Sequence, residues 1–291
     1  MSDVLVTEPG VYNNMPESIY HADPVQAGSL SVSGAKRLLP PSCPAIYKWE
    51  RDNGRPGKAA FDFGHAAHAA VLGVGGQTVV VQKTAKDKSV VDADDYLTKS
   101  AQEHRDAIRA EGKVPVLASE QAVIRDMVAA VRAHPIASQL LDPDKGKAEQ
   151  SAFWLDDEHG IWRRGRFDWL AGRVIVDYKT CQSADPASIA KAVANYGYAM
   201  QDQWYRDAAR AVAGIENPEF VFVFQQKTAP YLVTVAQLDL TAQARGRELN
   251  QRAIRTYVEC MATDTWPGYV DDVALISLPK WAFYDAEEDA A

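Results

Sequence analysis

The spacing of apolar residues along the chain changes near Glu149. Before that residue, the clearest pattern is "SEQAVIRDMVAAVRAHPIASQLL" (119–141), whose apolar side chains recur every three or four positions and predict an amphipathic helix. From Glu149 onward, "EQSAFWLD", "IWRRGRFDWL" and "RVIVDYKT" predict three successive strands. The pattern therefore predicts an α/β protein with strands clustered centrally and helices on either side.

Capping residues mark several further helices. Ser31 or Ser33 is expected to cap a helix in "SLSVSGAKRLL", and "FDFGHAAHAAVLG" predicts an alanine-rich helix. Asp185 followed by Pro186 predicts the start of another helix, with a break at Gly197. The other expected elements are a loop-like start at 1–28, a strand in "TVVVQ", strands in "EFVFVFQQ" and "YLVTVAQLD", and a long helix at 241–261.

The chain is expected to form one domain over residues 1–291. Within it we distinguish an N-terminal helical segment at 1–60 and a core at 149–240. Residues 84–116 are charged, lack strand alternation and are expected to form an exposed, partly helical insertion. The end of the chain, 284–291, is an acidic tail that we expect to be frayed.

Composition is that of an ordinary globular protein, since 47% of the 291 residues are hydrophobic and 24% are charged. No apolar stretch approaches the roughly 18 residues that span a bilayer. The N-terminal sequence "MSDVLVTEPGVYNN" lacks the basic and then apolar layout of a signal peptide. We therefore expect no membrane association and a cytoplasmic location.

The cysteines restrict the kind of metal site. Cys43, Cys181 and Cys260 are odd in number and far apart, which argues against a disulfide framework. The same count argues against a four-cysteine zinc site and against a cysteine-ligated iron–sulfur cluster. Any metal should be a hard cation bound through oxygen.

The net charge of −8 predicts no general attraction to nucleic acid, although a cleft can be locally basic. Solvated surface charge is the alternative for each basic residue. The candidates for a basic cleft are Arg163, Arg164, Arg166, Lys36, Arg37, Lys48, Arg51, Arg55 and Lys58.

Two charged residues end an otherwise apolar strand in "RVIVDYKT". Strand alternation places Asp177 and Lys179 on the same face as Ile175, whereas Val176 and Tyr178 share the other face. Buried charges are costly unless something pairs or binds them.

A hairpin brings a second carboxylate near these charges. A two-residue turn at Ala171-Gly172 would set Asp168 opposite Ile175, with Asp177 as its diagonal neighbour and Arg166 opposite Asp177. Two carboxylates at that spacing can hold Mg²⁺, which neutralises charge on a phosphoryl group and activates a bound water. The adjacent Lys179 could orient that water and stabilise the transition state. The alternative is a strand-end salt bridge between Asp177 and Lys179.

Asp168, eight intervening residues and then Asp177-Tyr178-Lys179 resemble the motif of the PD-(D/E)XK nuclease superfamily. Downstream, "QDQWY" places Gln201 and Tyr205 on one helix face, similar to the Gln-x-x-x-Tyr of the branch that includes the RecB nuclease domain. Upstream, "GHAAH" is similar to the Gly-x-x-x-His of that branch.

The resemblance extends to the RecE-like (exonuclease VIII-type) exonucleases of phages and prophages. "SLSVSGAKRLLPPSCPAIYKW" is similar to their N-terminal segment and "WPGYVDDVALISLPKWA" to their C-terminal segment, so the resemblance covers about residues 10–283. The departures are Phe167 where proline is common, Tyr178 where leucine is common and His65 where threonine is common. None of these removes a metal ligand.

The resemblance implies a PD-(D/E)XK core with a mixed sheet and a role for each motif residue. The implied metal ligands are Asp168, Asp177, a ring nitrogen of His68 and the backbone carbonyl of Tyr178, with Glu149 binding a second metal or a water. The other implied catalytic residues are Lys179, Gln201 (contacting DNA or positioning Lys179) and Tyr205. The implied DNA-binding residues are Arg164, Arg166, Gln201 and Lys36. In the alternative, His68 is a packed histidine and Gln201 and Tyr205 form an ordinary interface pair.

The implied function is a Mg²⁺-dependent exodeoxyribonuclease, with Mn²⁺ as a substitute and no iron–sulfur cluster. It would degrade double-stranded DNA from its ends, 5′ to 3′, in phage-type recombination. The implied partners are DNA ends, a single-strand annealing protein and further copies of the chain in a ring trimer or tetramer. The alternatives are an endonuclease of the same fold and a catalytically silent DNA-binding subunit.

Overall fold

The computed structural model describes residues 5–54, 62–74, 77–279 and 282. The predicted acidic tail at 284–291 and the basic residues Arg55 and Lys58 lie outside the described residues. The helices are α1 (Glu17–His21), α2 (Val32–Arg37), α3 (Pro44–Asn53), α4 (Asp62–Leu72), α5 (Lys99–Ala110), α6 (Ala118–Ala133), α7 (Ala137–Leu140), α8 (Pro186–Tyr196), α9 (Tyr198–Val212) and α10 (Leu240–Thr263).

A seven-stranded mixed sheet forms the centre of the molecule. Its strands are β1 (Gly10–Tyr12), β2 (Ser29–Ser31), β7 (Lys147–Asp156), β8 (Ile161–Ala171), β9 (Val174–Cys181), β10 (Glu219–Gln226) and β11 (Val233–Ala236). The order is β1-β7-β8-β9-β10-β11, and β2 pairs with β8. The β9–β10 and β2–β8 pairs are parallel, whereas the others are antiparallel.

Helices cover both faces of this sheet, because the long strands β9 and β10 carry apolar side chains on both sides. On one face Ile175 and Phe222 pack with Trp204 of α9 and Ile254 of α10. On the other face the apolar residues of the strands pack against α4, α6 and the segment that follows α6. The predicted fold class, a mixed sheet flanked by helices, is confirmed.

A smaller unit lies between α4 and α6. Its strands are β3 (Thr78–Val80), β4 (Gln82–Thr84), β5 (Val90–Asp92) and β6 (Val114–Val116), paired as β3–β6 and β4–β5. The side chains of Val81, Ala93, Ala101 and Ile108 form its apolar centre. The helix expected in 84–116 is therefore present as α5, together with two short strands that the charged sequence did not predict.

Several boundaries follow from the capping residues that the sequence identified. Ser31 Oγ accepts a hydrogen bond from the Gly34 N–H at the start of α2, and Asp185 accepts one from Ser188 N–H at the start of α8. Gly197 separates α8 from α9 with a left-handed φ of 62°, a conformation that glycine adopts without steric cost. The predicted helix at 119–141 is interrupted after Ala133, because Pro135 cannot continue it.

The predicted hairpin turn is wrong by one residue. β8 and β9 pair as Ala171↔Val174 and Leu170↔Ile175, so the turn consists of Gly172 and Arg173. Asp168 therefore does not lie opposite Ile175, and Arg166 does not lie opposite Asp177. Because each partner shifts by two positions, every side chain keeps its predicted face.

Within the described residues, none of the helices combines the length and apolar character needed to cross a bilayer.

Candidate active site

The pairing of β8 along one of its edges is interrupted next to Asp168 and Asp177. One edge of β8 pairs with β2 at Trp162–Arg164 and with β9 at Trp169–Ala171, which leaves residues 165–168 unpaired on that side. Asp168 and Asp177 are the next residues beyond the last pair, Trp169↔Val176. A gap between two paired regions gives both carboxylates room to be reached by other groups.

The neighbouring strand is distorted at the same level. The β7–β8 ladder pairs Ala148 with Trp169 and Gln150 with Phe167 but skips Glu149. Glu149 has a φ of 52°, in the left-handed region that non-glycine residues rarely adopt. Such strain persists only where the surrounding structure enforces it, and it is concentrated at functional sites.

Asp177 is fully buried at this gap, and two side chains hold its carboxylate. Lys179 forms an ion pair with Oδ1, and the Gln201 side-chain amide of α9 donates a hydrogen bond to Oδ2. Burial raises the pKa of Asp177 to about 6, helped by the negative charge of Asp168 and opposed by Lys179. The ion pair with Lys179 therefore offsets only part of the cost of burying this carboxylate.

Asp168 is stabilised as an anion by a different set of groups. Its Oδ2 accepts a hydrogen bond from Tyr178 N–H at 3.0 Å and lies 3.1 Å from His68 Nε2. Burial would raise the pKa of Asp168, but His68, Lys179 and the backbone N–H hold it below its ordinary value. The ring of His68 also lies 3.4 Å, through Nδ1, from Glu149 Oε1, so His68 links the two acidic residues.

Two ammonium groups meet at Tyr198, the first residue of α9. Lys179 Nζ lies 5.6 Å from the centroid of the Tyr198 ring and Lys36 Nζ lies 5.5 Å from it. Burial would lower the pKa of Lys179, but Asp177 and Asp168 raise it above its ordinary value. Burial and the positive charge of Lys179 lower the pKa of Lys36 to about 8. The sequence analysis missed Tyr198, although its position three residues before Gln201 on the same helix face could have indicated it.

Tyr205 belongs to the apolar core between α9 and the sheet. Its ring contacts the rings of Phe167 and Phe220, and a Cβ on Gly165 would come within 2.8 Å of it. These contacts fix α9 against β8. The contacts of Tyr205 are those of a residue that packs a helix against the sheet, whereas Gln201 contacts Asp177 directly.

The three arginines of "RRGR" are bound by the protein itself. Arg163 forms ion pairs with Asp156 and Asp207 and lies against two tryptophan rings. Arg164 donates to the backbone and side-chain oxygens of Ser29 and forms an ion pair with Asp23. Arg166 donates to Met15 O and Ser151 Oγ and lies 3.4 Å from Glu149.

The side chains that could bind a metal ion lie close together at this gap, where they form ion pairs with one another or with Lys179. Among the described residues, no three His, Cys, Asp or Glu side chains have the arrangement of a metal site. Asp168 and Asp177 nevertheless offer the carboxylate oxygens that hard divalent cations prefer, and His68 adds a ring nitrogen of the kind that transition-metal ions bind. The raised pKa of Asp177 indicates a carboxylate that a cation would stabilise. The donor chemistry therefore fits such an ion, and the Tyr178 carbonyl as a further ligand stays a prediction.

The chain matches the model of a known protein family over most of its length. Residues 31–279 match the model of a PDDEXK-like domain of unknown function. The chain belongs to this family. The predicted PD-(D/E)XK resemblance is thereby confirmed at the level of the superfamily.

A solved structure has the same fold. The crystal structure of a "Putative exonuclease" from Eubacterium rectale matches with a TM-score of 0.58 and 13% identity, covering 95% of this chain and 97% of that one. No curated protein is significantly similar to this PDDEXK-like chain. At this identity the likeness shows a shared fold, so the chemistry has to be argued from the site.

Proposed function

We propose that this PDDEXK-like protein is a metal-dependent deoxyribonuclease that hydrolyses DNA from double-stranded ends. The observation that carries the proposal is the grouping of Asp168, Asp177 and Lys179 at one gap in the sheet. Their order along the chain and their family match the PD-(D/E)XK pattern. When bound, a divalent cation would polarise the phosphoryl group and lower the pKa of a water.

The side chains around such an ion would have different roles. Asp168, Asp177 and His68 would hold it, with Glu149 binding a further ion or a water. Lys179, charged because of the two aspartates, stabilises negative charge on the phosphate as the transition state forms. Gln201 fixes the orientation of the Asp177 carboxylate through its hydrogen bond.

The more specific parts of the proposal depend on the resemblance to the RecE-like exonucleases. They are Mg²⁺ as the usual ion with Mn²⁺ as substitute, 5′-to-3′ polarity, a role in phage-type recombination and a single-strand annealing partner. A cytoplasmic location remains a prediction of the same kind.

Self-association is part of this proposal, and a stretch near the C-terminus supports it. Six large apolar side chains there are 61–98% exposed: Tyr269, Val270, Val273, Leu275, Ile276 and Leu278. The family match extends through residue 279, so this segment belongs to the unit that the family shares. In the described residues no strand pairs with the outer edge of β11, to which an extended segment of a second copy could add.

Substitutions at the charged pair test the chemistry. Lys179→Met and Asp177→Asn should each reduce Mg²⁺-dependent hydrolysis of linear duplex DNA by at least about a hundredfold. Lys191, an exposed lysine of α8, provides the matched control as Lys191→Met, which should cleave like the wild type. Cleavage by Lys179→Met at the wild-type rate would show that the assigned site does not perform the reaction.

A further inference from the structure

Lys36 reaches the candidate active site from outside the nuclease motif. It lies in the last turn of α2, and its methylene groups cross Gly197, where an added Cβ would come within 3.3 Å of Lys36 Cε. This contact directs its ammonium group to the Tyr198 ring, which Lys179 also contacts. α2 therefore supplies a second positive charge beside the catalytic lysine.

The two ammonium groups differ in how they are compensated. Lys179 forms an ion pair with Asp177, whereas Lys36 forms no hydrogen bond or ion pair with any part of the described chain. The ring of Tyr198 offsets part of the cost of placing Lys36 there, through its negatively polarised face. Asp177 attracts Lys36 at longer range, but its carboxylate is already bound by Lys179 and Gln201. Lys36 therefore keeps a positive charge available to an external anion.

The other basic residues proposed for DNA are neutralised within the protein, as far as the described residues show. Arg163, Arg164 and Arg166 are held by acidic or backbone groups, as described above. In the N-terminal segment, Arg37 forms an ion pair with Glu50, and Lys48 and Arg51 both pair with Asp52. Of these candidates, Lys36 is the one in the described part of the chain that lies next to Lys179 without an ion pair of its own.

We propose that Lys36 binds a phosphate of the DNA backbone beside the one that Lys179 acts on. This inference depends on the proposed nuclease function and deepens it by naming how an acidic protein holds its anionic substrate at the site. Lysine contacts a phosphate as a point charge and recognises no base, so Lys36 contributes affinity and position without sequence preference.

Equilibrium binding to a fluorescent duplex in EDTA, where cleavage does not interfere, tests the proposal. Lys36→Met keeps the methylene packing on Gly197 and removes the charge. It should weaken binding about tenfold and reduce the slope of log affinity against log salt by about 1. Lys36→Arg should restore most of the affinity, and the control Lys191→Met should bind like the wild type.

The outcomes separate this inference from the proposed function. Wild-type affinity and an unchanged salt slope for Lys36→Met would overturn the phosphate contact, even if the enzyme cleaves DNA. Failure of the wild type to cleave DNA with Mg²⁺ or Mn²⁺ would overturn the nuclease proposal, while the binding data would still decide the role of Lys36. A wild-type protein that neither binds duplex DNA nor cleaves it with Mg²⁺ or Mn²⁺ would overturn both. A matching melting temperature for Lys36→Met and the wild type checks that the fold is intact.

Discussion

Two side chains of different kinds donate to the Asp177 carboxylate. Because Asp177 is buried, water cannot replace either of them. The charge of Lys179 stabilises the ionised carboxylate, whereas the Gln201 amide fixes its orientation without adding charge. A buried oxygen that loses its donor has no water to replace it. Substitution of Gln201 should therefore affect the orientation of the Asp177 carboxylate.

Gln201→Leu should reduce DNA hydrolysis per folded molecule by about 10–100-fold, the usual effect of losing a group that orients a metal ligand. Gln203, on the same helix, is also buried but bonds to Asp202 and Arg247, away from the site. Gln203→Leu is thus the matched control, with a lower melting temperature and a normal rate. Equal rates for the two variants would show that the Asp177 contact is unimportant.

The Arg163 network gives a prediction for the pH dependence of stability. Burial alone would raise the pKa of Asp156, but the hydrogen bond from His159 and the charge of Arg163 hold it below its ordinary value. A carboxyl with a lowered folded-state pKa contributes stability above its unfolded pKa, and loses that contribution as pH falls through the folded pKa.

Asp156→Asn should therefore lower the free energy of unfolding at pH 7 by about 0.5–1.5 kcal/mol, a modest effect because solvent screens part of the interaction. The difference from the wild type should be constant above about pH 5 and should shrink below about pH 4. Urea denaturation of both proteins across this range measures it. A difference that grows on acidification would contradict the assigned sign.

The sequence singled out residues that the structure brings together at one gap in the sheet, because their spacing and order follow a family pattern. It could not identify the partners of the arginines. Arg164 is held by Ser29 and Asp23, and Arg166 by Met15, more than 130 residues away along the chain. No local pattern encodes such contacts. The position of Tyr198 three residues before Gln201 could have indicated it locally, but its contacts with Lys36 and Lys179 come from distant segments.

At the scale of elements, the hairpin shows which part of a structure a pattern determines. Alternation along β8 and β9 predicted which side chains share a face, and that holds in the structure. A two-residue turn could contain Gly172 as its first or its second residue, so the sequence did not determine the register of the hairpin. The residue opposite Arg166 depended on that register. The capping residues of α2 and α8 were predictable because a cap is a local interaction.

The position of α9 depends on its close packing against α10. A Cβ on Gly246 would come within 2.0 Å of Ala199 O, which is backbone and cannot rotate away. Gly246→Ala should therefore destabilise the protein by about 1–3 kcal/mol, although alanine favours helices. In α4, Gly64→Ala is the control, because the nearest atom to its Cβ would be 3.9 Å away.

Thermal unfolding of both variants decides this point. Gly64→Ala should unfold at the wild-type temperature or slightly above it, and Gly246→Ala several degrees below it. A stabilising Gly246→Ala would mean that the two helices do not pack this closely.

At the scale of the whole molecule, the exposed segment at 269–278 bears on assembly. Leu275 and Ile276 are 98% and 80% exposed, which is costly for a chain that stays monomeric. The double variant Leu275→Asp, Ile276→Asp should therefore shift the protein towards the monomer in sedimentation or light scattering, with an unchanged melting temperature for the isolated subunit. A wild-type protein that is monomeric at micromolar concentration would contradict the proposed self-association.

For the whole molecule, an acidic protein of net charge −8 is proposed to cleave DNA at one small site where two lysines lie beside the carboxylates. The most direct test is digestion of a linear duplex, labelled separately at each 5′ end, alongside a covalently closed circle of the same sequence. With Mg²⁺ the account predicts that the label is released from the linear DNA, that the circle stays intact and that EDTA stops the reaction. Cutting of the circle would indicate an endonuclease, and intact linear DNA across a range of Mg²⁺ and Mn²⁺ would contradict the account.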